Sequence, residues 1–270
     1  MPISKVDILL PYWGDVELFK QTVNSVLSQT SSDWSLKIFD DCYPSNEAQE
    51  FIKSIKDPRI TYYRHEKNIG ITKNFNFALS KATAPYFVMP GCDDVFLPNY
   101  IETSLSEIKK ADFYQPKVQI IDLSGTIYFP LVDRVKSYIA KKPGIYKGER
   151  LAASLCYGNW LYFPSILWRT EVVKKYGFNN KYKIAEDLDL ELQMILDGAK
   201  LSVGKTPAFQ YRRFAESLSS KEKGKDGIRF TEEDEVYNKF SKKFKEKGWK
   251  KASVAAKVRF SSRMHNITSR

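Results

Sequence analysis

Histidine and cysteine are scarce in this chain of 270 residues. The two histidines, His65 and His265, lie almost a whole chain apart, which argues against a histidine-rich zinc site and against a Ser-His-Asp catalytic triad. The three cysteines, Cys42, Cys92 and Cys156, are widely spaced and form no C-x-x-C pair. We therefore expect a reducing compartment and no disulfide framework.

Long apolar runs are also missing. The most apolar stretch, residues 160–168, is far shorter than the run of about 20 residues that a membrane-spanning helix needs. The first residues of the chain contain no apolar segment of the kind that marks a signal peptide. The sequence predicts a cytoplasmic protein without a transmembrane helix, for which peripheral contact with the inner face of a membrane stays open.

The two common glycine-rich phosphate-binding sequences, G-x-G-x-x-G and G-x-x-x-x-G-K-[ST], are absent. A bound nucleotide would have to be held in another way. A divalent cation that bridges carboxylates to phosphates is the obvious candidate.

What the first half does contain is an alternation of short apolar strands and amphipathic helices. We predict strands at residues 6–10, 34–39, 60–63 and 86–89, and helices at residues 17–29, 48–55 and 71–80. Pro11 is expected to end the first strand, and Asp15 to cap the first helix. Such an alternation predicts an α/β fold with a doubly wound sheet.

Three of the predicted strands are followed by residues with pronounced chemistry. They are the aromatic corner at residues 11–13, the pair Asp40-Asp41 and the pair Asp93-Asp94. An isolated pair of aspartates is usually a turn or a helix cap. Ligands of doubly wound sheets, however, bind beyond the carboxyl ends of the strands. Two acidic pairs and an aromatic corner along one edge therefore predict a ligand site.

The second half supplies further carboxylates. Four acidic residues fall within six positions that begin with Glu186 and Asp187. Acids in the first turn of a helix stabilise its dipole, but four exceed what capping needs. A carboxylate at such a helix start can act as a general base towards an attacking hydroxyl.

Two other features of the second half have a structural and a functional interpretation. Arg212 and Arg213 follow a predicted strand and lie either in a solvated loop or against a diphosphate, for which arginine has the better geometry. Trp160 belongs to an aromatic stretch in which core packing is the usual role and stacking on an acceptor sugar the alternative.

Most of the net charge lies at the end of the chain. Residues 221–270 hold 15 Lys+Arg and 7 Asp+Glu, a net +8 of the formal +11. Apolar residues recur there at helical spacing, and Gly248 is expected to divide two helices: Tyr237, Phe240, Phe244, Trp249, Ala252, Ala256 and Phe260. This face either lies in an anionic membrane interface or packs on the main domain. We find no RNA-binding motif and expect no nucleic-acid partner.

Taken together, four segments resemble family 2 glycosyltransferases of the GT-A fold. In order they are VDILLPYW, LSQTSSDWSLKIFDD, NIGITKNFNFALSKATAPYFVMPGCDD and AEDLDLELQMILDGAKL, within roughly residues 4–215. The resemblance implies a GT-A type mixed sheet flanked by helices and an inverting enzyme that uses a nucleotide sugar with Mn²⁺ or Mg²⁺. We expect a transferase domain at residues 1–220, with a donor half to about residue 110 and an acceptor half after it, and a basic helical extension at residues 221–270.

The resemblance also assigns roles on the donor side. Pro11 and Trp13 match the corner that binds the base, although a Tyr is common where Trp13 stands. Asp41 matches the residue that reads a pyrimidine ring, and Lys73 a basic residue near the base or phosphate. Asp93 matches a ribose contact. The implied donor is a nucleotide sugar, with a UDP-sugar favoured.

On the reacting side, the resemblance implies that Asp94 binds the metal and that Asp187 is the general base. Glu186 and Trp160 are weaker candidates for acceptor contacts, and Arg212 for a diphosphate contact. The implied acceptor is a glycan or lipid-linked glycan in surface polysaccharide or lipooligosaccharide synthesis.

The chain departs from the family pattern at two positions. Gly91 stands where the acidic run often begins, which removes one carboxylate, and Phe214 stands where a His often follows the Tyr-Arg pair. Three alternatives remain open: a nucleotidyltransferase, a non-catalytic basic protein that binds membranes or RNA, and a relative that binds donors without transferring sugar.

Overall fold

The computed structural model describes residues 5–213 and 228–258. In this part of the chain nine strands form one sheet. The strands are β1 (Val6–Tyr12), β2 (Trp34–Asp40), β3 (Ile60–Arg64), β4 (Tyr86–Val88), β5 (Val95–Phe96), β6 (Phe113–Ile121), β7 (Gly144–Lys147), β8 (Leu167–Arg169) and β9 (Lys200–Arg212).

The sheet is mixed. Its strands lie in the order β3-β2-β1-β4-β8-β6-β9-β5, and β7 also pairs with β9. Strands β1 to β4 are parallel, as expected for strands that alternate with helices. Strand β8 is antiparallel to both β4 and β6, and it joins the first-half strands to the parallel pair β6 and β9. The prediction of a mixed α/β sheet is confirmed.

Helices cover both faces of this sheet. They are α1 (Val16–Leu27), α2 (Glu47–Ser54), α3 (Ile71–Ser80), α4 (Tyr100–Ile108), α5 (Leu131–Ile139), α6 (Gly148–Tyr157), α7 (Thr170–Val173), α8 (Glu186–Leu196), α9 (Ile228–Glu246) and α10 (Lys250–Val258). Helices α1, α2 and α4 pack in one apolar cluster, and α3, α6, α8, α9 and α10 in the other. Alternate residues of β1 enter the two clusters, so the sheet lies between them.

The elements predicted for the first half are present, with ends that shift by no more than two residues. Strand β1 runs through Pro11 to Tyr12, so the prediction that Pro11 ends it is wrong. Pro11 is tolerated because the ladder between β1 and β4 stops at Ile8, beyond which that edge needs no backbone donor. Asp15 caps α1 as predicted, since its Oδ1 accepts hydrogen bonds from two first-turn N–H groups, at 2.8 and 3.0 Å.

The apolar face of the C-terminal helices packs on the main domain. Buried residues of α9 and α10 belong to the cluster that also holds α6 and α8: Val236, Tyr237, Phe240, Phe244, Ala252, Ala255 and Ala256. Trp249 is partly buried against the same cluster, and Phe260 lies outside the described residues. Gly248, with φ of +82°, separates the two helices as predicted. These side chains are therefore not free to enter a membrane interface. Among the described helices, none has the length and apolar character needed to cross a bilayer.

Candidate active site

The carboxyl ends of β1, β2 and β4 lie at the same edge of the sheet, because these strands are parallel neighbours. After β1, the indole of Trp13 is 49% exposed and meets Tyr43 edge-on, with ring centroids 5.4 Å apart. Pro11 is partly buried beneath it at the end of the strand. The predicted aromatic corner thus offers an open ring face to a planar ligand.

Asp41, after β2, holds the chain that enters α3. It is 3% exposed, and its two carboxylate oxygens accept hydrogen bonds from the backbone N–H groups of Ile69 and Gly70, at 2.7 and 2.9 Å. Gly70 adopts φ of +86°, which suits glycine. Lys73 is exposed in the first turn of α3. Any contact of Asp41 with a nucleobase would have to be made in addition to these backbone bonds.

Asp93 and Asp94 lie in the turn after β4. Asp94 is 1% exposed, and its oxygens accept from the backbone N–H groups of Gly91 and Arg212, each at 3.0 Å. Burial raises the pKa of both carboxyls, and for Asp94 the charge of Asp93 raises the pKa further. The two N–H groups and the Arg212 charge act in the opposite direction on Asp94. When both carboxyls are ionised, their surroundings therefore compensate the negative charge only in part.

Because Gly91 has no side chain, the carboxylates of Asp93 and Asp94 can lie close to its Cα. A Cβ at position 91 would lie 2.7 Å from Oδ1 of Asp93 and 2.8 Å from Oδ2 of Asp94. Both carboxylates thus border the same small volume in front of Gly91. The departure from the family pattern has a steric reason, since any side chain at Gly91 would displace both.

Asp93 and Asp94 fit a divalent cation that a substrate helps to hold. Carboxylate oxygens are hard ligands suited to Mg²⁺ and Mn²⁺. Across residues 5–213 and 228–258 there is no cluster of three or more His, Cys, Asp or Glu side chains that could hold a metal. A cation at this pair would need further oxygens from phosphate and water, which is the usual arrangement for Mg²⁺.

Arg212 does not face a ligand. It is 1% exposed, and all the contacts of its guanidinium are internal. The guanidinium donates to the backbone oxygens of Asp93 (2.7 Å), Asp122 (2.8 Å) and Leu123 (2.8 Å) and to Oε1 of Gln21 (2.8 Å). The structure therefore contradicts the predicted contact between Arg212 and a diphosphate. Arg212 instead fixes the turn that carries the aspartates.

Glu186 and Asp187 begin α8. Asp187 is partly buried, and its Oδ1 accepts a hydrogen bond from the N–H of Leu188 at 2.6 Å. Burial raises the pKa of Asp187 to about 6, against the opposing effect of the Leu188 N–H. Glu186 is 5% exposed, its Oε2 has no hydrogen-bond partner, and burial together with the Asp187 charge raises its pKa further above the usual range. A carboxyl with a raised pKa at a helix start is suited to proton transfer near neutral pH.

Two cations from other elements act on Asp187. Lys136 on α5 and Arg229 on α9 both lower its pKa, whereas Glu233 raises it. Burial and the charge of Arg213 lower the pKa of Lys136 itself to about 8. The effect of these two cations on Asp187 was not predictable from sequence, because Lys136 and Arg229 stand in segments without any motif.

Two hydrogen bonds connect the metal candidate to helix α5. At the end of β9, the backbone N–H of Arg212 donates to Asp94, and the next residue, Arg213, donates through Nη2 to Oδ1 of Asp133 at 3.0 Å. Asp133 lies on α5, one turn before Lys136, whose charge lowers the pKa of Asp187. Phe214, the second departure from the family pattern, lies outside the described residues.

Trp160 is not at the surface. It is 3% exposed, and its indole N–H is 3.4 Å from Oγ of Ser154 inside the core. An acceptor sugar could not stack on this ring in the present conformation. The preceding residue, Asn159, donates through its amide at 3.1 Å to Oε2 of Glu191, a carboxylate that is itself fully buried.

The sequence analysis missed Glu232 on α9. Its carboxylate is 8% exposed and accepts hydrogen bonds from three consecutive N–H groups directly before α8, those of Lys183, Ile184 and Ala185, at 2.8 to 3.1 Å. Glu232 begins a run of four acidic residues at positions 232–235, and no local pattern distinguishes the one that makes this long-range contact. The C-terminal extension thereby positions the segment that carries Glu186 and Asp187.

Sequence comparison identifies related proteins. The profile of "Glycosyl transferase family 2" matches residues 7–170. The chain is 27% identical over 201 residues to the putative colanic acid biosynthesis glycosyl transferase WcaA of Escherichia coli, covering 71% of this chain and 66% of WcaA. It is also 27% identical over 105 residues to the UDP-Glc:alpha-D-GlcNAc-diphosphoundecaprenol beta-1,3-glucosyltransferase WfgD of Escherichia coli, covering 39% of this chain and 41% of WfgD.

Solved structures share the fold. S. aureus TarS 1-349 in complex with UDP-GlcNAc superposes with a TM-score of 0.66 at 17% identity, over 86% of this chain and 65% of that one. The mannosyltransferase PcManGT from Pyrobaculum calidifontis, in complex with GDP-Man and Mn²⁺, gives a TM-score of 0.65 at 9% identity, over 99% of this chain and 75% of that one. The chain thus spans about two thirds of the length of WcaA and of TarS 1-349. Both structural likenesses show the GT-A architecture that the sequence predicted.

The Glu232 contact predicts a specific loss of stability. Glu232→Gln removes the charge that three N–H groups share, so we expect the free energy of unfolding to fall by about 1.5–3 kcal/mol, the range for hydrogen bonds to a charged group. Glu235→Gln on the same helix breaks only the exposed ion pair with Lys181 and should cost under about 1 kcal/mol. Urea unfolding followed by circular dichroism measures both; equal values would contradict the positioning role of Glu232.

Proposed function

Because this chain belongs to glycosyl transferase family 2, we propose that it transfers a sugar, with inversion, from a nucleotide-sugar donor to a hydroxyl group of a glycan. The family membership makes the protein a glycosyltransferase. It favours transfer over the nucleotidyltransferase and binding-module alternatives. The observation that carries the proposed mechanism is the carboxyl of Asp187 at the start of α8, whose pKa burial raises and whose ionised form the charges of Lys136 and Arg229 favour.

We propose a UDP-sugar as the donor. Trp13 would stack on the uracil at the open aromatic corner, and Asp41 and Lys73 lie beside it at the start of α3. TarS 1-349, which shares the fold, has been solved with UDP-GlcNAc, whereas PcManGT has been solved with GDP-Man. The sugar itself is left open by these contacts.

The proposed cation site is Asp94, with Asp93 next to it and oriented towards the ribose. Both carboxylates border the volume in front of Gly91, and their negative charge is only partly compensated. When bound, Mn²⁺ or Mg²⁺ would neutralise the diphosphate and make it a better leaving group. Arg212 contributes by holding the turn rigid.

Asp187 is the proposed general base. Its carboxylate would remove the proton of the acceptor hydroxyl while that oxygen bonds to C1 of the sugar and the bond from C1 to the diphosphate oxygen breaks. Attack from the face opposite the leaving group inverts C1. Lys136 and Arg229 favour the ionised form that a base requires. Glu186, next to Asp187, would face the acceptor.

We propose surface polysaccharide synthesis as the process and a glycan or lipid-linked glycan as the acceptor. WcaA is named for colanic acid biosynthesis, and WfgD for transfer to GlcNAc-diphosphoundecaprenol. Both names concern products that are built at a membrane. The basic C-terminal region agrees with such a location without requiring it.

Removing the base should separate catalysis from donor binding. We expect Asp187→Asn to lower kcat by about 10² to 10⁴-fold, the usual contribution of general-base catalysis, while the donor affinity stays within about twofold. Asp197→Asn, at the other end of α8, is the matched control and should leave kcat unchanged. Turnover of Asp187→Asn close to that of the wild type would reject the assignment.

The raised pKa of Asp187 predicts the pH dependence. A general base works only when it is deprotonated, so kcat/KM should be level above about pH 6 and fall about tenfold per pH unit below it. The ordinary pKa of an aspartate is about 3.9, so an unperturbed carboxyl would keep its activity to much lower pH. Measuring kcat/KM from pH 4.5 to 8.5 tests this. The residual activity of Asp187→Asn should not show the fall in kcat/KM below about pH 6.

The crowding at Gly91 predicts the metal dependence. Gly91→Ala displaces both carboxylates without changing the charge, so we expect the Mn²⁺-dependent affinity for a UDP-sugar to fall by about tenfold or more. Asp94→Ala should abolish the metal effect. A thermal-shift screen of UDP-, GDP- and dTDP-sugars with and without Mn²⁺ identifies the donor, and calorimetry gives the affinities. If the affinity for the UDP-sugar depends on Mn²⁺ equally in the wild type, in Gly91→Ala and in Asp94→Ala, the cation binds at another site.

A further inference from the structure

Helix α5 has its polar face turned inward and its apolar face turned outward. On the inner face, Asp133 is fully buried, pairs with Arg213 and accepts a hydrogen bond from the hydroxyl of Tyr162 at 2.7 Å. On the outer face, Leu131, Val135 and Tyr138 are 73%, 51% and 91% exposed. A surface helix of a globular protein normally has the opposite arrangement. Burial in the protein core therefore does not explain why Leu131, Val135 and Tyr138 are apolar.

The segment that leads into α5 extends this exposed surface. Ile127 and Phe129 are 57% and 52% exposed, on the same side of an extended stretch. Tyr128, between them, points the other way and donates to the backbone oxygen of Arg213 at 3.0 Å, which fixes the segment on the body of the protein. Contiguous exposed apolar residues on a soluble domain mark an interaction surface. We call residues 127–138 the α5 surface.

Basic residues predominate in the sequence that contains the α5 surface. From residue 123 to residue 147 the chain has a single acid, the buried Asp133, and five basic residues, among them the exposed Arg134, Lys142 and Lys147. Apolar residues bordered by cations form a surface complementary to anionic headgroups above an acyl layer.

We propose that the α5 surface docks on an anionic lipid bilayer. Leu131, Val135 and Tyr138 would enter the boundary between headgroups and acyl chains, and Arg134 and Lys142 would contact lipid phosphates. A second copy of the chain is the less suitable occupant, because a twofold contact through this surface would bring its cations together. The argument does not depend on the proposed function.

Vesicle flotation of the full chain tests the proposal. With vesicles of phosphatidylglycerol and phosphatidylethanolamine, we expect Leu131→Ser/Val135→Ser/Tyr138→Ser to lower the bound-to-free ratio at least about tenfold, because three exposed apolar side chains lose their burial in the bilayer. Val254→Ser/Val258→Ser on α10 is the matched control, since these side chains are also apolar and are 55% and 41% exposed. This control should bind like the wild type.

A second pair of variants tests the electrostatic part without touching the apolar stripe. Arg134→Gln/Lys142→Gln should lower binding to the anionic vesicles about tenfold and leave any residual binding to phosphatidylcholine vesicles unchanged. The Arg134→Gln/Lys142→Gln variant tests whether the α5 surface binds anionic lipid even if the triple serine variant fails to fold. Circular dichroism and the donor-induced thermal shift report on folding for every variant.

Several results would overturn the proposal. They are a wild-type chain that does not float with anionic vesicles, a triple variant that floats equally well, or a loss confined to the α10 variant. Sedimentation that shows a wild-type dimer and a monomeric triple variant would assign the α5 surface to a second copy instead. A bromine-labelled acyl chain should quench the indole introduced by Tyr138→Trp and not the one introduced by Val254→Trp; the reverse would place the membrane contact on α10.

Discussion

The buried guanidinium of Arg212 is the interaction on which the donor side of this protein depends. It binds the turn after β4, the turn after β6 and helix α1, while its own backbone N–H binds Asp94. A buried charge is tolerated only when it is hydrogen-bonded and compensated, and here the compensation comes from the Asp93-Asp94 pair. Arg212 therefore fixes the turn that carries both acids, and its single positive charge offsets only part of the negative charge that they carry when ionised.

The acceptor side follows the same principle with other partners. Asp187, Glu186 and Glu191 are carboxyls whose pKa values burial raises, and cations reach them from α5 and α9. Glu232 of α9 binds the backbone that precedes them. The C-terminal helices are thus part of the site's framework, since they bury an apolar face on α6 and α8 and send charged side chains towards the start of α8. Helix α5 has a comparable double role, with buried polar groups on one side and the exposed α5 surface on the other.

Much of the fold was predictable because it depends on local patterns. The alternation of apolar runs and helical periodicities fixed the elements of the first half, the side chain of Asp15 marked the start of α1, and Gly248 marked a break between helices. The cluster of acids at Glu186 and Asp187 was visible because it exceeded what a helix start needs. The order of motifs was enough to identify the GT-A architecture.

Tertiary structure alone decided which side chains face inward. Arg212 was expected after a strand, in a solvated loop or against a diphosphate, but it lies within β9 and is buried. For Trp160, core packing and an acceptor contact were both open, and the ring is buried. The apolar stripe of α5 was not singled out, and it is the one left exposed. The reason is that the burial of a side chain depends on the elements packed around it. Those elements come from distant parts of the chain, so the local sequence does not reveal them. Gly91 is the clearest case, because only the positions of Asp93 and Asp94 in space show why no side chain fits there.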